Sequence, residues 1–426
     1  MAREAPQRLL VLSNGHGEDL LARTLVLALL EEAQARQLPL ETWVFPLVGE
    51  GRAWQTTGAG IAPPPWQVVG VQAAMPSGGF ILEGSGGLWR DLRAGLLGLI
   101  RRQMRSLREL APEVAWVLAV GDVVPLTAGL LVARRPVIFV ATAKSTRIRG
   151  FGRPEQVLMR RARLVFARDG DSARALAAAG VPARYAGNLM MDALEEGTLP
   201  PQVTEGLVIA LMPGSHQDAY GNLTVMARAA RAIARRWSEP TRFLVPLASG
   251  LDEAQAVQAL AAAGWEPAPA AEASPGGVWL APREGGSARL WLASGRFGPM
   301  VRACRLAVGL AGTANEQAAG LGKPVVAFPG PGFQATLTFL RDQQRLLGEA
   351  VALTEPDPEA VAREVCQILT DPHRYRRMAE AGRAVMGQPG AAGRMARQIL
   401  AALTGGEGPF RAVEEAPGGP EGGART

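Results

Sequence analysis

Short runs of Val, Leu and Ile alternate with longer runs rich in Ala, Arg and Leu along almost the whole chain. The short apolar runs suit strands buried on both faces of a parallel sheet. The longer runs, apolar at helical spacing, suit the helices that cover such a sheet. The pattern predicts strands over residues 8–13, 41–48, 68–72, 114–120, 136–141, 164–167 and 183–186, with helices over 18–36, 88–110 and 171–179. It lapses at 195–206, EEGTLPPQVTEG, where adjacent prolines and glycines without apolar period predict a linker. It then resumes with strands over 207–212, 242–246, 277–280, 306–309 and 324–328 and helices over 222–237, 253–263, 315–320 and 357–369. The expected architecture is α/β, with domains at 1–194 and 207–387 and a Gly/Pro/Glu-rich tail, 405–426, that has almost nothing to bury.

Composition narrows the class. A chain of 426 residues, 48% hydrophobic and 20% charged, has material for two cores and is not a disordered protein. The net charge is 45 − 39 = +6, and all but two of the 45 cations, Lys144 and Lys323, are arginines. That explains a pI near 10.1 on so small a surplus. Cys304 and Cys366 form neither a disulfide framework nor a CxxC pair, which suits a reducing cytoplasm, and His16, His216 and His373 are too scattered for a zinc site; no metal is expected. The apolar run at 9–12 is too short for a signal-peptide core. The stretch 114–133 is long enough to span a membrane, but Gly121, Asp122 and Pro125 interrupt it, and a strand followed by a helix fits better.

Four loops carry candidate chemistry, each at the end of a predicted strand and the start of a helix, where α/β sheets bind ligands. The first is Ser13-Asn14-Gly15-His16-Gly17-Glu18-Asp19; Glu18 and Asp19 would equally serve the positive end of the helix dipole. It lacks the GxGxxG spacing of a dinucleotide fingerprint. The second is Gly121-Asp122, a carboxylate among valines that is either functional or a helix N-cap. The third, Pro213-Gly214-Ser215-His216, and the fourth, Gly312-Thr313-Ala314-Asn315-Glu316-Gln317, offer backbone amides, hydroxyls and polar side chains of the kind that bind phosphate and ribose. Together they suggest two walls of one nucleotide pocket. Asp169-Gly170-Asp171 spells a metal-binding carboxylate pair but reads as a helix cap, and the two cysteines read as core residues. The arginines are not interleaved with aromatic platforms, so no nucleic-acid partner is expected.

The run 88–110 carries Trp89, Leu92, Leu96, Leu99 and Ile100 with Arg90, Arg93, Arg101, Arg102, Arg105 and Arg108 against only Asp91 and Glu109. A basic amphipathic helix of this kind either lies against an anionic membrane or packs on a sheet with a solvated arginine face.

The order SNGHGEDLLA, GDVVPLTAG, AGNLMMDAL, LMPGSH and GTANEQAAGLGKPVVAFPGPG, spread over residues 7–403, resembles bacterial lipid A disaccharide synthases and, more closely, their diverged "lipid A disaccharide synthase-related" relatives. The resemblance implies the GT-B fold: two Rossmann-like domains facing across a cleft, with a helix at about 388–404 crossing back to the first. It implies an acceptor held by the first domain, a UDP-sugar as co-substrate held by the second, and no cofactor or metal. Asp122 and Asp19 match carboxylates of that family. Gly214, Ser215, Gly312 and Thr313 match its donor positions. The departures are His216 where the family has arginine, Gln317 where its donor-site glutamate falls, with Glu316 one residue earlier, and His16 in place of a small residue. His16 is similar to the glycine-and-histidine loops of transferases that act on lipid-linked acceptors.

The expectation is an inverting glycosyltransferase passing a hexose or N-acetylhexosamine to a lipid acceptor at the inner membrane surface. His16 or Asp122 would act as base, with Asp19 also in the catalytic set and His216, Glu316, Gln317 and Gln334 completing the donor pocket. Asn14, Gly15, Gly17, Trp89, Arg90 and Arg93 would lie on the acceptor and membrane side. The alternatives are a UDP-sugar 2-epimerase of the same fold and a non-catalytic protein that binds sugar nucleotide or lipid. The oligomeric state is open.

Overall fold

The computed structural model describes residues 7–49, 51–55, 64–71, 96–269, 276–332 and 335–405. The chain forms two compact units. One comprises Met1–Ala143, Phe151–Ala186 and Ala391–Thr426, the other Lys144–Gly150 and Gly187–Gly390.

The first unit is built on a seven-stranded sheet of β1 (Gln7–Ser13), β2 (Leu40–Pro46), β3 (Gln67–Val68), β4 (Trp116–Gly121), β5 (Val137–Ala141), β6 (Leu164–Ala167) and β7 (Ala183–Arg184). The spatial order is β3-β2-β1-β4-β5-β6-β7 and every pair is parallel. Strands such as VIFVA in β5 are buried at every position, as a sheet covered on both faces requires. Strand order reverses between β1 and β4, so the connections leaving their carboxyl ends diverge and leave a crevice there. The helix Ala391–Leu403 belongs to this unit and packs on the helix His16–Ala35. It buries Ala392, Met395, Ala396, Ile399, Leu400 and Leu403 at helical spacing, and Arg394 Nε donates to Ala186 O at 2.8 Å.

The second unit has an eight-stranded sheet of β8 (Leu207–Met212), β9 (Thr241–Leu247), β10 (Trp265–Pro267), β11 (Val278–Pro282), β12 (Arg289–Ser294), β13 (Leu306–Gly309), β14 (Val325–Ala327) and β15 (Val351–Leu353), in the order β10-β11-β12-β9-β8-β13-β14-β15. The β10–β11 and β11–β12 pairs are antiparallel and the rest are parallel. Here the order reverses between β8 and β13. The stretch 114–133 forms β4, a short helix Val123–Thr127 and a π-helical turn Ala128–Ala133, and among the described residues no helix is long and apolar enough to cross a membrane.

The hydrophobic pattern does not foretell β10, β12, β15 or the helices Arg153–Met159, Phe297–Ala303, Leu337–Leu347 and Pro372–Met386. The strand RLWLAS of β12 is buried because it pairs with β9 along its length. The helix Pro372–Met386 is rich in arginine and held at its start by Asp371, whose carboxylate accepts from His373 N and Arg374 N. The Pro/Gly lapse at 195–206 is not a free linker. Val203 is fully buried, Arg302 Nη1 donates to Glu195 O at 2.6 Å, and Arg296 Nη1 donates to Thr198 O at 3.2 Å. The chain joins the second unit earlier than its composition suggests, at Gly187. The tail 406–426 lies outside the described residues.

Candidate functional site

At the reversal point of the first sheet, the loop after β1 and the end of β4 are in contact. Gly121 has φ +128°, and a Cβ there would collide with Asn14 Oδ1 and come within 3.2 Å of Glu18 Cγ, so only glycine fits. Gly15, at φ +145° and ψ 162°, caps the helix His16–Ala35 in a backbone conformation open to glycine. Gly17, in contrast, faces open space and no contact demands it. These two glycine-built turns bring Asn14, Glu18 and Asp122 together.

Asp122 is the N-cap of Val123–Thr127, its Oδ1 accepting from Val124 N at 2.7 Å, so the cap reading is correct. It also acts on Glu18. Burial raises the Glu18 pKa above the usual carboxylate range, and the negative charge of Asp122 adds to the rise. Asp19 is fully buried, accepts from the Ser13 hydroxyl at 2.5 Å, and is pushed up to about 6 by burial, with Ser13 opposing the shift and Glu18 adding to it. Glu18 and Asp19 both lie in the first helical turn, where the dipole favours ionisation by about 0.3–1 kcal/mol. Desolvation is the larger effect, since both carboxyls titrate high. The result is three carboxyls with separated tasks: Glu18 and Asp122 are half-buried and reachable, while Asp19 is sealed behind them. Buried carboxyls with raised pKa values at the end of a strand are candidates for acid–base chemistry. The sequence placed Glu18 in the first candidate loop, with the helix dipole as its alternative role, and gave it no catalytic part; the signal for one was a third carboxyl at the same strand ends.

At the reversal point of the second sheet the loops are shaped mainly by glycine, hydroxyl and amide groups. Gly214 takes φ +108° after β8, Ser215 is exposed, and Ser215 Oγ stands 3.5 Å from His216 Nδ1. The helix here begins only at Ala219, so Gly214 and Ser215 lie in a loop ahead of it. Buried Asn222 holds that loop in place. Its Nδ2 donates to Pro213 O at 2.9 Å, and its Oδ1 accepts from Gly332 N at 3.0 Å, tying the loop after β8 to the Pro-Gly-Pro-Gly loop after β14. After β13, Gly312 caps the helix Thr313–Gly320 without a side-chain hydrogen bond, and Thr313 is exposed. Buried Asn315 Nδ2 donates to Gly309 O and Gln343 Oε1, and Gln343 Nε2 donates to Ala311 O and Gly312 O. This amide chain shapes the loop while leaving the first helical amides open to a phosphate.

The structure therefore sorts the sequence candidates. Gly214, Ser215, His216, Gly312 and Thr313 line accessible loops, whereas Glu316 and Gln317 are each only 8% exposed. The Gln317 amide donates to Met190 O at 2.9 Å, fastening the Asn188–Asp192 turn rather than facing solvent. The side chain of His16, and Gln334, Trp89, Arg90 and Arg93, lie outside the described residues. Asp169 caps Gly170–Ala178 by accepting from Ser172 N and Oγ, as expected, and Cys304 is buried with its thiol pushed up to about 11 by desolvation. Among the described residues no group of three or more His, Cys, Asp and Glu is arranged to hold a metal ion.

The described part of the basic helix, Leu96–Leu110, turns Leu99, Gln103 and Leu107 inward, with Gln103 Nε2 donating to Leu47 O. Its opposite face exposes Arg101, Arg102, Arg105 and Arg108, together with Leu97 and Ile100. Its inner face packs into the core of the first unit, and its outer face presents these arginines.

No protein-family model matches the chain, and no curated protein matches it at significance. Solved structures do resemble it. A candidate UDP-N-acetylglucosamine 2-epimerase from Listeria monocytogenes superposes with TM-score 0.62 at 17% identity, covering 96% of this chain and 100% of its own. The UDP-GlcNAc 2-epimerase from Neisseria meningitidis, bound to UDP-GlcNAc, gives 0.54 at 13% identity, with 94% and 100% covered. The calicheamicin glycosyltransferase CalG4 gives 0.55 at 15% identity, with 95% and 100% covered. These likenesses show the fold: two Rossmann-like α/β domains of the GT-B type. None of the three is a lipid A disaccharide synthase.

Proposed function

We propose that this protein is an enzyme acting on a UDP-sugar, and that it passes a hexose or N-acetylhexosamine, with inversion, to the hydroxyl of a lipid-borne acceptor. The observation that carries the reading is the Glu18–Asp122 pair at the reversal point of the first sheet, backed by buried Asp19 with its pKa near 6. In this reading Asp122 or Glu18 takes the proton of the acceptor hydroxyl, the freed oxygen attacks C1 of the sugar, and the bond from C1 to the phosphate oxygen breaks. UDP leaves with the electron pair, and the open amides at Thr313, with Gly214 and Ser215, accommodate its phosphates. His16 is a further candidate for the base. The motif order and the exposed Arg101, Arg102, Arg105 and Arg108 support a lipid acceptor presented at an anionic membrane surface.

A second reading, UDP-sugar 2-epimerisation, is favoured by the fold likenesses, in which 2-epimerases include the TM-score of 0.62. In it the same carboxyls remove the proton at C2 as the C1–oxygen bond breaks and UDP leaves with that electron pair, and then return a proton to the opposite face of C2 as UDP adds back at C1. One experiment separates the two. The protein is incubated with UDP-GlcNAc in D2O, with and without a bacterial lipid extract, and products are read by mass spectrometry and NMR. Transfer predicts UDP release and a new glycolipid only with lipid present. Epimerisation predicts a C2-inverted, C2-deuterated UDP-sugar without lipid, and that result overturns the transferase reading. UDP binding with neither product supports a binding protein.

A further inference from the structure

Away from the strand ends described above, the first unit holds a cavity of about 630 Å³ lined by Leu130, Leu131, Arg134, Arg135 and Arg161. It lies at the other edge of the sheet: Arg134 and Arg135 precede β5 and Arg161 precedes β6, whereas Ser13 and Gly121 end β1 and β4. A five-residue strand such as β5 sets roughly 17 Å between the two edges.

The arginines are held there by the backbone. Arg134, at φ +54°, closes the π-helical turn Ala128–Ala133 in the left-handed conformation, which is unfavourable for a non-glycine residue. Arg135 Nε donates to Ala111 O at 2.7 Å, which anchors its head and leaves its terminal nitrogens unused. Arg134 and Arg161 are exposed, and among the described residues none of the three pairs with a carboxylate. Three uncompensated guanidinium groups around one hollow create a positive potential that an anion relieves, and their planar forks match phosphate oxygens. Leu130 and Leu131, the latter 44% exposed, supply an apolar wall beside them.

We propose that this cavity binds a phosphate-bearing anion. The leucine wall fits the phosphate of a phospholipid headgroup; a free phosphate shares the chemistry. The proposal is independent of the sugar-nucleotide reading, because the residues do not overlap.

The test uses the full chain without nucleotide, and the comparison of variants separates this cavity from any nucleotide site. Inorganic pyrophosphate is titrated by calorimetry, and co-sedimentation is measured with vesicles of phosphatidylglycerol and phosphatidylcholine against phosphatidylcholine alone. The variant R134Q/R161Q alters exposed side chains, and R228Q/R376Q in the second unit is the charge-matched control. The expected result is at least tenfold weaker pyrophosphate binding in R134Q/R161Q and less than twofold change in the control. Retention on anionic vesicles that is lost in R134Q/R161Q and competed by pyrophosphate identifies the lipid source. Pyrophosphate binding without vesicle retention identifies the free anion. No binding of either probe by the wild type, or equal losses in variant and control, overturns the proposal.

Discussion

The two units place loops at corresponding points, where a parallel sheet reverses its strand order, yet the side chains there differ in kind. In the first unit the loops bring together the carboxyls of Glu18, Asp19 and Asp122, and burial moves the pKa values of Glu18 and Asp19 upward. In the second they bring together Asn222, Asn315 and Gln343, amides that hold backbone loops and exchange nothing. The common architecture supplies a crevice, and the residues set in it decide whether the crevice does chemistry or holds an anion. Burial raises the pKa of the carboxyls, whereas the amide chain is buried with its donors and acceptors matched.

The largest test of that contrast is catalytic. Glu18→Gln or Asp122→Asn is expected to lower UDP release or sugar conversion by at least 100-fold with folding intact, while Ser215→Ala lowers it less than tenfold, mostly through KM; steady-state kinetics and circular dichroism check both. Next in size is Gly121→Ala, which forces φ +128° on alanine and drives its methyl into Asn14. A loss of about 3 kcal/mol is expected in denaturant unfolding.

Asp19 gives a pH test. Its folded pKa, about 6, lies above the ordinary 3.8, so folding favours the protonated form. The associated stability is complete below about pH 4 and is lost as pH rises through about 6. Asp19→Asn, neutral at every pH, is therefore expected to gain about 2–3 kcal/mol over the wild type between pH 4 and pH 8, at about 1.4 kcal/mol per pKa unit. A pH-independent difference in unfolding free energy would break the assignment. Asn222→Ala in the second unit is expected to cost about 1–3 kcal/mol by leaving Gly332 N and Pro213 O without their partner, and to do so equally at pH 4 and pH 8. The smallest effect is Gly17→Ala, for which open space and better helix propensity predict a gain of up to about 1 kcal/mol. A raised KM in this stable variant would show that a ligand approaches the backbone there.

Much of this was legible in the chain itself. Apolar runs buried on both faces, as in β1, β4, β5, β8 and β13, are strands by composition alone, and the loops after β1, β4, β8 and β13 stand out by their glycines or capping residues. What failed were elements whose burial comes from a neighbour. The strand β12 depends on β9, the helix Pro372–Met386 is interrupted by arginines, and the proline-rich stretch 195–206 is held by arginines about a hundred residues later.

The same division runs through the site. Local sequence determined the alternation of strands and helices, the turns at Gly15, Gly121 and Gly214, and the Asp122 and Asp169 caps, because each depends on dihedral preference or on groups a few residues apart. Only the tertiary structure decided that Glu18 lies against Gly121 and near Asp122, that Asp19 is sealed and titrates near 6, and that Gln317 fastens Met190 instead of facing solvent. Desolvation and through-space charge act between residues that are distant in the chain, and no spacing along it encodes them.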